Sequence, residues 1–461
     1  MKKLFTFGAL ALASLAHAQT PPAFGSYLKM FSADSLWNSR PVNPVFGTYQ
    51  IPDTTFNPTV ASGAWSTGIF QAQDTNKEMI VYPRGTNTGV WDPDGEKMLA
   101  TVRIPHWPAN TQGATGADGH ADIVDSTENK VYSFSQLSMD ASGKWSAQQI
   151  AWSPLNGTGW GDPAHYFQGA RAAGVPTSAG MIRVDEVNDG KALFEHALAM
   201  SLDYTALTPA PNQFIYPATS GDATDPQKAN SGQIAEGTRM MLPASFDLKP
   251  ITDLRLLKVA TTLKTYGAYV VDRNYNTPFV IYVENGATWG SLPADQLQKI
   301  QHALRPVVSQ DGHINGNGVA RVPESEVNLL SMRGTWAPNY VANKNDKLGV
   351  YDTFQQALTW DTTAGFMSQT NFSMRDVNVV KGAGPNAPKR YKLSVAATGG
   401  ASLQMTIWVA GANRKTTAVL SNAGSEIIAW PDGATISMLA QKPAGGKATL
   451  SARLVELPPG Q

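Results

Sequence analysis

The chain has 461 residues with 36 basic and 36 acidic side chains, so its formal net charge is zero. This balance excludes the strongly basic surface by which proteins attract nucleic acid or an anionic membrane. Because the chain contains no cysteine, zinc sites with thiolate ligands and cysteine nucleophiles are excluded as well.

The beginning of the chain has the pattern of a secretory signal. Lys2 and Lys3 precede an apolar run, Leu4–Leu15, and Ala16-His17-Ala18 forms a small-residue cleavage site. The run is too short to span a membrane. We therefore expect cleavage after Ala18, which leaves 34 basic residues against 36 acidic ones. A secreted or periplasmic protein without membrane insertion is the prediction.

The stretch Gly116–Tyr132 concentrates polar chemistry at the end of an apolar strand. If the strand begins near His120, alternation places His120 and Asp122 on one face, and Asp118 can join them from the preceding loop. One imidazole and two carboxylates within five residues indicate a catalytic or metal site. In the alternative interpretation, Asp118 and Asp125 are turn residues and His120 is an ordinary edge histidine.

The segment Asn156–Gly174 is predicted to be a long loop rich in glycine and aromatic residues. Long loops of this kind are usually functional or mobile. Sugar rings stack on aromatic faces, so we assign substrate binding to Trp160, His165 and Tyr166. Burial in the core is the alternative for the tryptophan.

Two strands are predicted after this loop, Met181–Val187 and Phe194–Leu202. Alternation in the first strand sets Glu186 on one face and Arg183 on the other. In the second strand, His196 would lie on the apolar side, where a buried, hydrogen-bonded histidine is the alternative to a catalytic one.

Two helices are expected in the second half of the main domain. Asp253 can cap the first helix, and Gly267 provides a left-handed stop after it. The second helix is predicted to begin at Ser291, with Pro293 in its first turn. Between the helices, strands are expected over residues 268–271 and 279–283, and Asp311-Gly312-His313 is predicted to be a loop.

A polar stretch, Asn339–Gly349, is interpreted as a linker between a main domain (residues 19–340) and a C-terminal domain (residues 341–461). Seven short strands follow at the spacing of a β-sandwich. They are Phe372–Val380, Arg390–Ala396, Leu403–Val409, Thr416–Leu420, Glu426–Trp430, Thr435–Ala440 and Ala448–Val455. This domain has no histidine and few carboxylates, so a non-catalytic accessory role is expected.

The composition favours short strands with many turns, since Gly (41) and Pro (30) are frequent and only 16% of residues are charged. We predict a mainly β protein. Its main domain would be a β-sandwich or jelly roll with a few helices, and its C-terminal domain a smaller β-sandwich.

Several short marks along residues 35–285 resemble those of a broad group of secreted bacterial β-rich proteins, most of them uncharacterised. In order, the marks are Ser35-Leu36-Trp37-Asn38, Asp118-Gly119-His120 with Ile123-Val124-Asp125, Arg183-Val184-Asp185-Glu186-Val187, His196-Ala197-Leu198, Tyr216-Pro217-Ala218-Thr219, Gly237-Thr238-Arg239, and Lys264-Thr265-Tyr266-Gly267-Ala268-Tyr269-Val270-Val271-Asp272. The resemblance implies a secreted β-rich domain and no particular activity. At one place the chain departs from the group, which usually has an acidic residue where this chain has Ser133.

The first functional hypothesis is hydrolysis of glycosidic bonds in an extracellular polysaccharide. It requires two carboxylates across the scissile bond, about 5–5.5 Å apart for retention or about 6.5–9.5 Å for inversion. Asp118 and Asp122 are the candidates on one side, with Glu186 or Asp272 on the other. His120 would orient one of them or raise its pKa.

The second hypothesis is β-elimination at a uronate. His120 and Tyr266 would act as base and acid, while Arg183 or Arg239 would hold the uronate carboxylate. The serine at position 133 weakens this mechanism less than it weakens hydrolysis.

Two further hypotheses remain open. A divalent metal could bind Asp118, His120 and Asp122, with His196 or His313 as a remote ligand, but the spacing matches no metal signature and no cofactor is expected. The chain could also bind glycans without cleaving them. The favoured prediction is a glycoside hydrolase with a polysaccharide or oligosaccharide partner. A serine hydrolase is disfavoured because no G-x-S-x-G occurs.

Overall fold

The computed structural model describes residues 22–210, 213–223, 225–322, 326–333, 336–338, 356–360, 367–371, 389–409, 414–431 and 434–457. The predicted signal (residues 1–18), linker (residues 339–349) and strand over residues 372–380 lie outside the described residues. The predicted domain border at residue 340 does as well.

In the main domain, the strands are, in chain order, β1 (Arg40–Val42), β2 (Val45–Phe46), β3 (Thr59–Ala61), β4 (Gly68–Gln71), β5 (Met79–Pro83), β6 (Val90–Asp92), β7 (Lys97–Leu99), β8 (Val102–Ile104), β9 (Ala121–Asp125), β10 (Lys130–Ser135), β11 (Ser138–Met139), β12 (Trp145–Ala147), β13 (Gln149–Pro154), β14 (Leu198–Asp203), β15 (Arg239–Met241), β16 (Ala268–Asn274), β17 (Phe279–Tyr282), β18 (Arg305–Ser309), β19 (Gly312–Ile314) and β20 (Ala320–Arg321). The helices are α1 (Leu254–Thr265) and α2 (Ala294–Ala303), and short 3-10 helices cover Leu36–Asn38 and Val184–Glu186.

These strands form layered sheets. A seven-stranded sheet has the order β2-β18-β15-β16-β14-β17-β3, and a six-stranded sheet has the order β4-β9-β10-β13-β6-β7. A four-stranded sheet (β11-β12-β5-β8) and a three-stranded one (β1-β19-β20) complete the domain. The seven-stranded sheet packs one face on α1 and α2 and the other on the six-stranded sheet. The four-stranded sheet covers the far face of the six-stranded sheet.

Alternation along β9 follows the prediction. Ile123 is buried against the four-stranded sheet, whereas Val124 is buried in the core shared with the seven-stranded sheet. His120 and Asp122 are in phase with Val124, so they belong to the face that is turned toward the seven-stranded sheet. This layer between the two large sheets contains the polar residues considered below.

The first helix forms as its local signals predict. Asp253 Oδ1 accepts the N–H groups of Arg255 and Leu256, and Gly267 after the helix has a φ of 75°. The second helix begins at Ala294 instead of Ser291, because Pro293 keeps an extended conformation as its N-cap.

Two strand assignments are wrong. Within 181–187 only Ile182 forms a bridge, to Val283, and the chain then turns into a 3-10 helix. The turn forms because Glu186 Oε2 accepts the N–H of Arg183 at 2.9 Å. Conversely, the predicted loop at His313 is strand β19, which pairs with β1 from the beginning of the chain.

The C-terminal domain is a β-sandwich, as predicted. Its strands are β21 (Trp336–Pro338), β22 (Leu358–Trp360), β23 (Met367–Asn371), β24 (Lys389–Ala397), β25 (Ser402–Trp408), β26 (Lys415–Thr416), β27 (Ser425–Trp430), β28 (Thr435–Lys442) and β29 (Ala448–Glu456). They form a five-stranded sheet, β21-β23-β28-β25-β26, and a four-stranded sheet, β22-β29-β24-β27. Leu329, Leu330 and Met332, which the sequence prediction assigned to the main domain, are buried in the core between them, so the sandwich includes residues before position 340. With this domain, the prediction of a mainly β protein with a few helices is confirmed.

Candidate functional site

His120 lies in a dry position just before β9. Only 5% of the residue is exposed, and its Nδ1–H faces the carbonyl oxygen of Phe134 at 3.3 Å. Burial, followed by the positive charge of Arg171, lowers its pKa to about 3. The imidazole is therefore neutral near pH 7, and its Nε2 lies 3.9 Å from Asp118 Oδ2.

Asp118 is the open member of the predicted group, since about half of its side chain is exposed. Burial of the remaining half and the negative charge of Asp272 raise the pKa of this carboxyl, while Arg171 acts in the opposite direction. The structure thus brings Asp118, His120 and Asp272 into one neighbourhood. All three were predicted as site residues.

Asp122 has a structural environment, in contrast to its predicted catalytic role. The residue is fully buried; its Oδ1 accepts the hydroxyl of Thr177 at 2.6 Å and its Oδ2 accepts the N–H of Ser178 at 2.7 Å. Burial raises its pKa. Because no part of Asp122 reaches solvent, we interpret it as a structural residue whose hydrogen bonds link β9 to the turn 176–179.

The departure at Ser133 has a simple explanation in this geometry. Ser133 pairs directly with Asp122 across the β9–β10 ladder, and its hydroxyl oxygen accepts the N–H groups of Ala170 and Thr177. Backbone amides of the loop 170–178 therefore face this point of the β9–β10 ladder. In this chain the acidic group that they meet is Asp122 on β9, and the residue opposite it on β10 is Ser133.

Arg171, which sequence reasoning left out of the site, is the cation of this neighbourhood. It is 2% exposed, its Nη1 donates to Asp272 Oδ2 at 2.9 Å, and its guanidinium carbon lies 3.8 Å from the centre of the Tyr282 ring. Its Nε and Nη2 have no hydrogen-bond partner among the described residues.

Two more carboxyl groups, also missed, adjoin Asp272. The backbone N–H of Arg273 donates to Asp222 Oδ2 at 2.8 Å and to Asp272 Oδ1 at 3.0 Å. The N–H of Asp222 donates to Oε1 of Glu236, which is fully buried. Burial and then the charge of Asp272 raise the pKa of Asp222 to about 7. Burial and then Asp222 raise the pKa of Glu236 well above its usual range.

We call these residues the acid cluster. Its members are Asp118, His120, Arg171, Asp222, Glu236, Asp272 and Tyr282. The only sequence signal for the missed acids was position, since Asp222 follows the Tyr216–Thr219 mark by three residues and Glu236 immediately precedes the Gly237–Arg239 mark.

Three predicted residues lie elsewhere. Arg183 is buried and donates from Nε to Glu284 Oε2 at 2.9 Å, and Glu186 Oε2 pairs with His196 Nε2 at 3.1 Å. Tyr266 precedes the start of β16, whereas Asp272 lies four residues into that strand, or roughly 13 Å along it. The structure therefore does not assemble His120 and Tyr266 as a base–acid pair.

The described residues contain no group of three or more histidine and acidic side chains placed to hold a metal ion. His196 is engaged with Glu186, and His313 lies at a different surface. Among the described residues, the proposed metal ligands are thus not gathered at one point.

A second candidate region is a cleft of about 1540 Å³ between the main domain and the C-terminal sandwich. We call it the interdomain cleft. Three of the predicted substrate-binding residues, Trp160, Tyr166 and Arg239, line it. Trp160 is 3% exposed and stacks on Trp37 at a centroid distance of 4.6 Å, so it is mainly a core residue with an edge at the cleft.

His165, the fourth predicted binding residue of this group, belongs to the domain interface instead. It lies against Trp152, with ring centroids 4.2 Å apart, and its Nε2 is 3.9 Å from Asp94 Oδ2. Arg333 from the C-terminal side pairs with Asp94 and donates to the carbonyl oxygen of Ala164. Next to these residues in the chain, Pro163 and Ser331 line the interdomain cleft, and the Ser331 hydroxyl donates to the carbonyl oxygen of Pro163.

Comparisons with known proteins give little similarity. No family model matches the chain, and no curated protein matches it. The structure of TmCBM61 in complex with beta-1,4-galactotriose is 12% identical, over 22% of this chain and 69% of that chain, with a TM-score of 0.15. The accessory secretory protein 1, 2 and 3 structure from Streptococcus pneumoniae is 8% identical, over 29% and 99%, with a TM-score of 0.14. Likenesses this slight carry no argument about fold or function. Among the described residues, no helix is both long and apolar enough to cross a membrane.

Proposed function

We propose that the protein is secreted and binds an oligosaccharide segment of an extracellular polysaccharide in the interdomain cleft. The observation that carries this proposal is the size and lining of the cleft. Its volume of about 1540 Å³ exceeds the roughly 300–1,000 Å³ of sites for small ligands, so it suits an extended chain. The signal pattern in residues 1–18 supports export.

The lining offers the two kinds of contact that sugars use. Aromatic rings provide faces for stacking, and Tyr216 is the most open of them, with 38% of the residue exposed. Side-chain amides of Gln233 and Gln310 can exchange hydrogen bonds with hydroxyl groups. Both domains contribute, because Arg453 and Glu456 of β29 also line the cleft.

The charges of the lining favour a neutral glycan. Four acidic residues (Asp34, Asp162, Glu326, Glu456) lie beside three arginines (Arg239, Arg321, Arg453). A polymer of uronates would meet this mixed surface without net attraction. Elimination at a uronate is accordingly less well supported than binding or hydrolysis of a neutral chain.

Affinity electrophoresis tests the proposal. The mature protein is run in native gels that contain neutral polysaccharides (galactan, glucan, xylan) or a polyuronate, and retardation by a neutral polymer is expected. Tyr216→Ala should weaken retardation roughly 2- to 12-fold, the effect of losing one aromatic contact of about 0.5–1.5 kcal/mol. Tyr82→Ala is the matched control, since Tyr82 is 36% exposed on β5, away from the cleft.

Retardation by none of the neutral polymers would overturn the proposal. Equal weakening by the Tyr216 and Tyr82 variants would overturn the location of the site.

A further inference from the structure

Two carboxyl groups of the acid cluster are bridged by one backbone N–H. The Arg273 nitrogen lies 2.8 Å from Asp222 Oδ2 and 3.0 Å from Asp272 Oδ1. Because one atom touches both oxygens, their separation cannot exceed the sum of these two distances. Carboxyl groups of retaining glycosidases are about 5–5.5 Å apart and those of inverting enzymes about 6.5–9.5 Å. The limit for these two oxygens lies just above the separation of the first class and below that of the second.

The two carboxyl groups have opposite environments. Asp272 Oδ2 accepts Arg171 Nη1 at 2.9 Å and the hydroxyl of Tyr282 at 3.4 Å, contacts that stabilise a negative charge. Asp222 instead lies beside the fully buried Glu236 and beside Asp272, and its pKa is raised to about 7. When one of two neighbouring carboxyl groups has an environment that favours the bound proton and the other has an environment that favours the negative charge, the first can act as proton donor and the second as nucleophile.

Both carboxyl groups are accessible. The side chain of Asp222 is 23% exposed and that of Asp272 is 18% exposed, so a substrate can touch each of them. Asp118, also near Asp272, is half exposed. Asp122 offers no such access, because it is fully buried.

Buried polar atoms beside the pair lack partners. Arg171 Nε and Nη2 have no hydrogen-bond partner among the described residues, although Arg171 is 2% exposed. Arg171 contacts Asp272, and Glu236 accepts the N–H of Asp222. Unpartnered buried polar atoms are rare in proteins, so this concentration points to a polar ligand at the pair.

We propose that Asp222 and Asp272 are the catalytic pair of a retaining glycoside hydrolase, with Asp222 as general acid and base and Asp272 as nucleophile. The substrate would be the neutral glycan of the interdomain cleft, so the inference rests on the proposed binding function. Arg171 is a positioning residue that holds Asp272.

The reaction balances without a co-reactant other than water. Asp222 donates its proton to the glycosidic oxygen, which keeps the electron pair of its breaking bond to the anomeric carbon, while a carboxylate oxygen of Asp272 bonds to that carbon. Water then attacks the anomeric carbon and gives a proton to Asp222. The ester bond breaks and Asp272 is again a carboxylate. The products are two shorter glycans, one with a new reducing end.

The pair lies close to the cleft along the chain. Thr219 lines the interdomain cleft and precedes Asp222 by three residues, which bounds their Cα separation at about 11 Å. The proposal therefore requires a glycan that extends from the cleft past Thr219 to Asp222.

The test compares Asp222→Asn and Asp272→Asn with Asp225→Asn in the full mature protein. Asp225 belongs to the same loop and bonds Tyr275, so its variant makes the same chemical change away from the pair. On the polysaccharide that retards the protein, release of reducing ends should fall at least 1,000-fold in the first two variants and less than 2-fold in the third. Retardation should persist in all three, which separates loss of chemistry from loss of binding.

Retardation without any release of reducing ends by the unmodified protein would overturn this inference and leave the binding proposal intact. Activity retained in Asp272→Asn would overturn it as well. If Asp272→Asn does not fold, the unmodified protein is instead incubated with a 2-deoxy-2-fluoro glycoside of the sugar that forms the retarding polysaccharide, and its peptides are weighed by mass spectrometry. The glycosyl mass must appear on the peptide that contains Asp272, and its appearance on another residue or on none would refute the assignment.

Discussion

Arg171 Nη1 lies 2.9 Å from Asp272 Oδ2, and the guanidinium carbon is 3.8 Å from the centre of the Tyr282 ring. Removal of one partner from a buried ion pair is costly, at about 3–5 kcal/mol, because the other charge remains without compensation. We therefore expect Arg171→Met to lower the free energy of unfolding by roughly that amount in urea titrations. Arg103→Met, which breaks the exposed pair with Glu78, should cost less than about 1 kcal/mol. Equal costs would contradict the assignment.

Protonation of Asp222 should make stability depend on pH. Its folded pKa of about 7 lies above the unfolded value of about 3.9, so its contribution is fully present below about pH 4 and is lost as pH rises to about 7. Three ionisable side chains face Asp222. Asp272 is negatively charged, Glu236 shares a hydrogen bond with Asp222, and Arg273 is positively charged. Asp222→Asn should therefore gain stability relative to the unmodified protein between pH 4 and pH 8. Urea midpoints that run in parallel over this range would refute the prediction.

The rate of cleavage should follow the same group. A general acid with a pKa of about 7 is deprotonated above that pH, so kcat/KM should fall about tenfold per pH unit on the alkaline side. The measurement is a pH–rate profile with the polysaccharide that retards the protein. A flat profile between pH 7 and pH 9 would exclude Asp222 as the acid.

Asp122 should matter for stability and not for cleavage. Because it accepts hydrogen bonds from Thr177 and Ser178 in a fully buried position, Asp122→Asn should lower the free energy of unfolding by about 1–3 kcal/mol. Below the unfolding transition, reducing-end release should stay within about 2-fold. The exposed Asp74 provides the control, and Asp74→Asn should change neither quantity. A folded Asp122 variant without activity would restore this residue to the catalytic group.

The contact between Arg333 and Asp94 should set the width of the interdomain cleft. Arg333→Met removes one partner of this buried ion pair and should weaken glycan retardation, with faster amide exchange at His165. Arg333→Met combined with Asp94→Leu should recover part of both losses, since an apolar pair can replace a buried ion pair. Additive losses in the double variant would show that the contact does not act as a pair.

Local signals predicted local structure. The carboxylate of Asp253 and the left-handed Gly267 define α1 at both ends, and the strands β24, β25, β27, β28 and β29 appear close to the positions that the β-sandwich spacing predicted. The sequence did not predict the strand at His313, because its partner, β1, comes from the opposite end of the main domain's sequence. A local pattern cannot indicate a pairing between such distant segments.

The candidate site was predictable in part for the same reason. Asp118, His120 and Asp272 lie on or beside strands with clear patterns, and the structure brings them together. Asp222 and Arg171 come from irregular loops, where no periodicity indicates which side chain points inward. Alternation placed Asp122 on the correct face, but it could not show that a turn covers that face.

The most direct measurement of the central claim is proton NMR of the first sugar released, recorded before its anomers equilibrate. The Arg273 N–H that joins Asp222 Oδ2 at 2.8 Å to Asp272 Oδ1 at 3.0 Å holds these two oxygens near the spacing of a retaining pair. The new reducing end should therefore appear first in the anomeric configuration of the bond that was cleaved. Initial appearance of the opposite anomer would contradict the account.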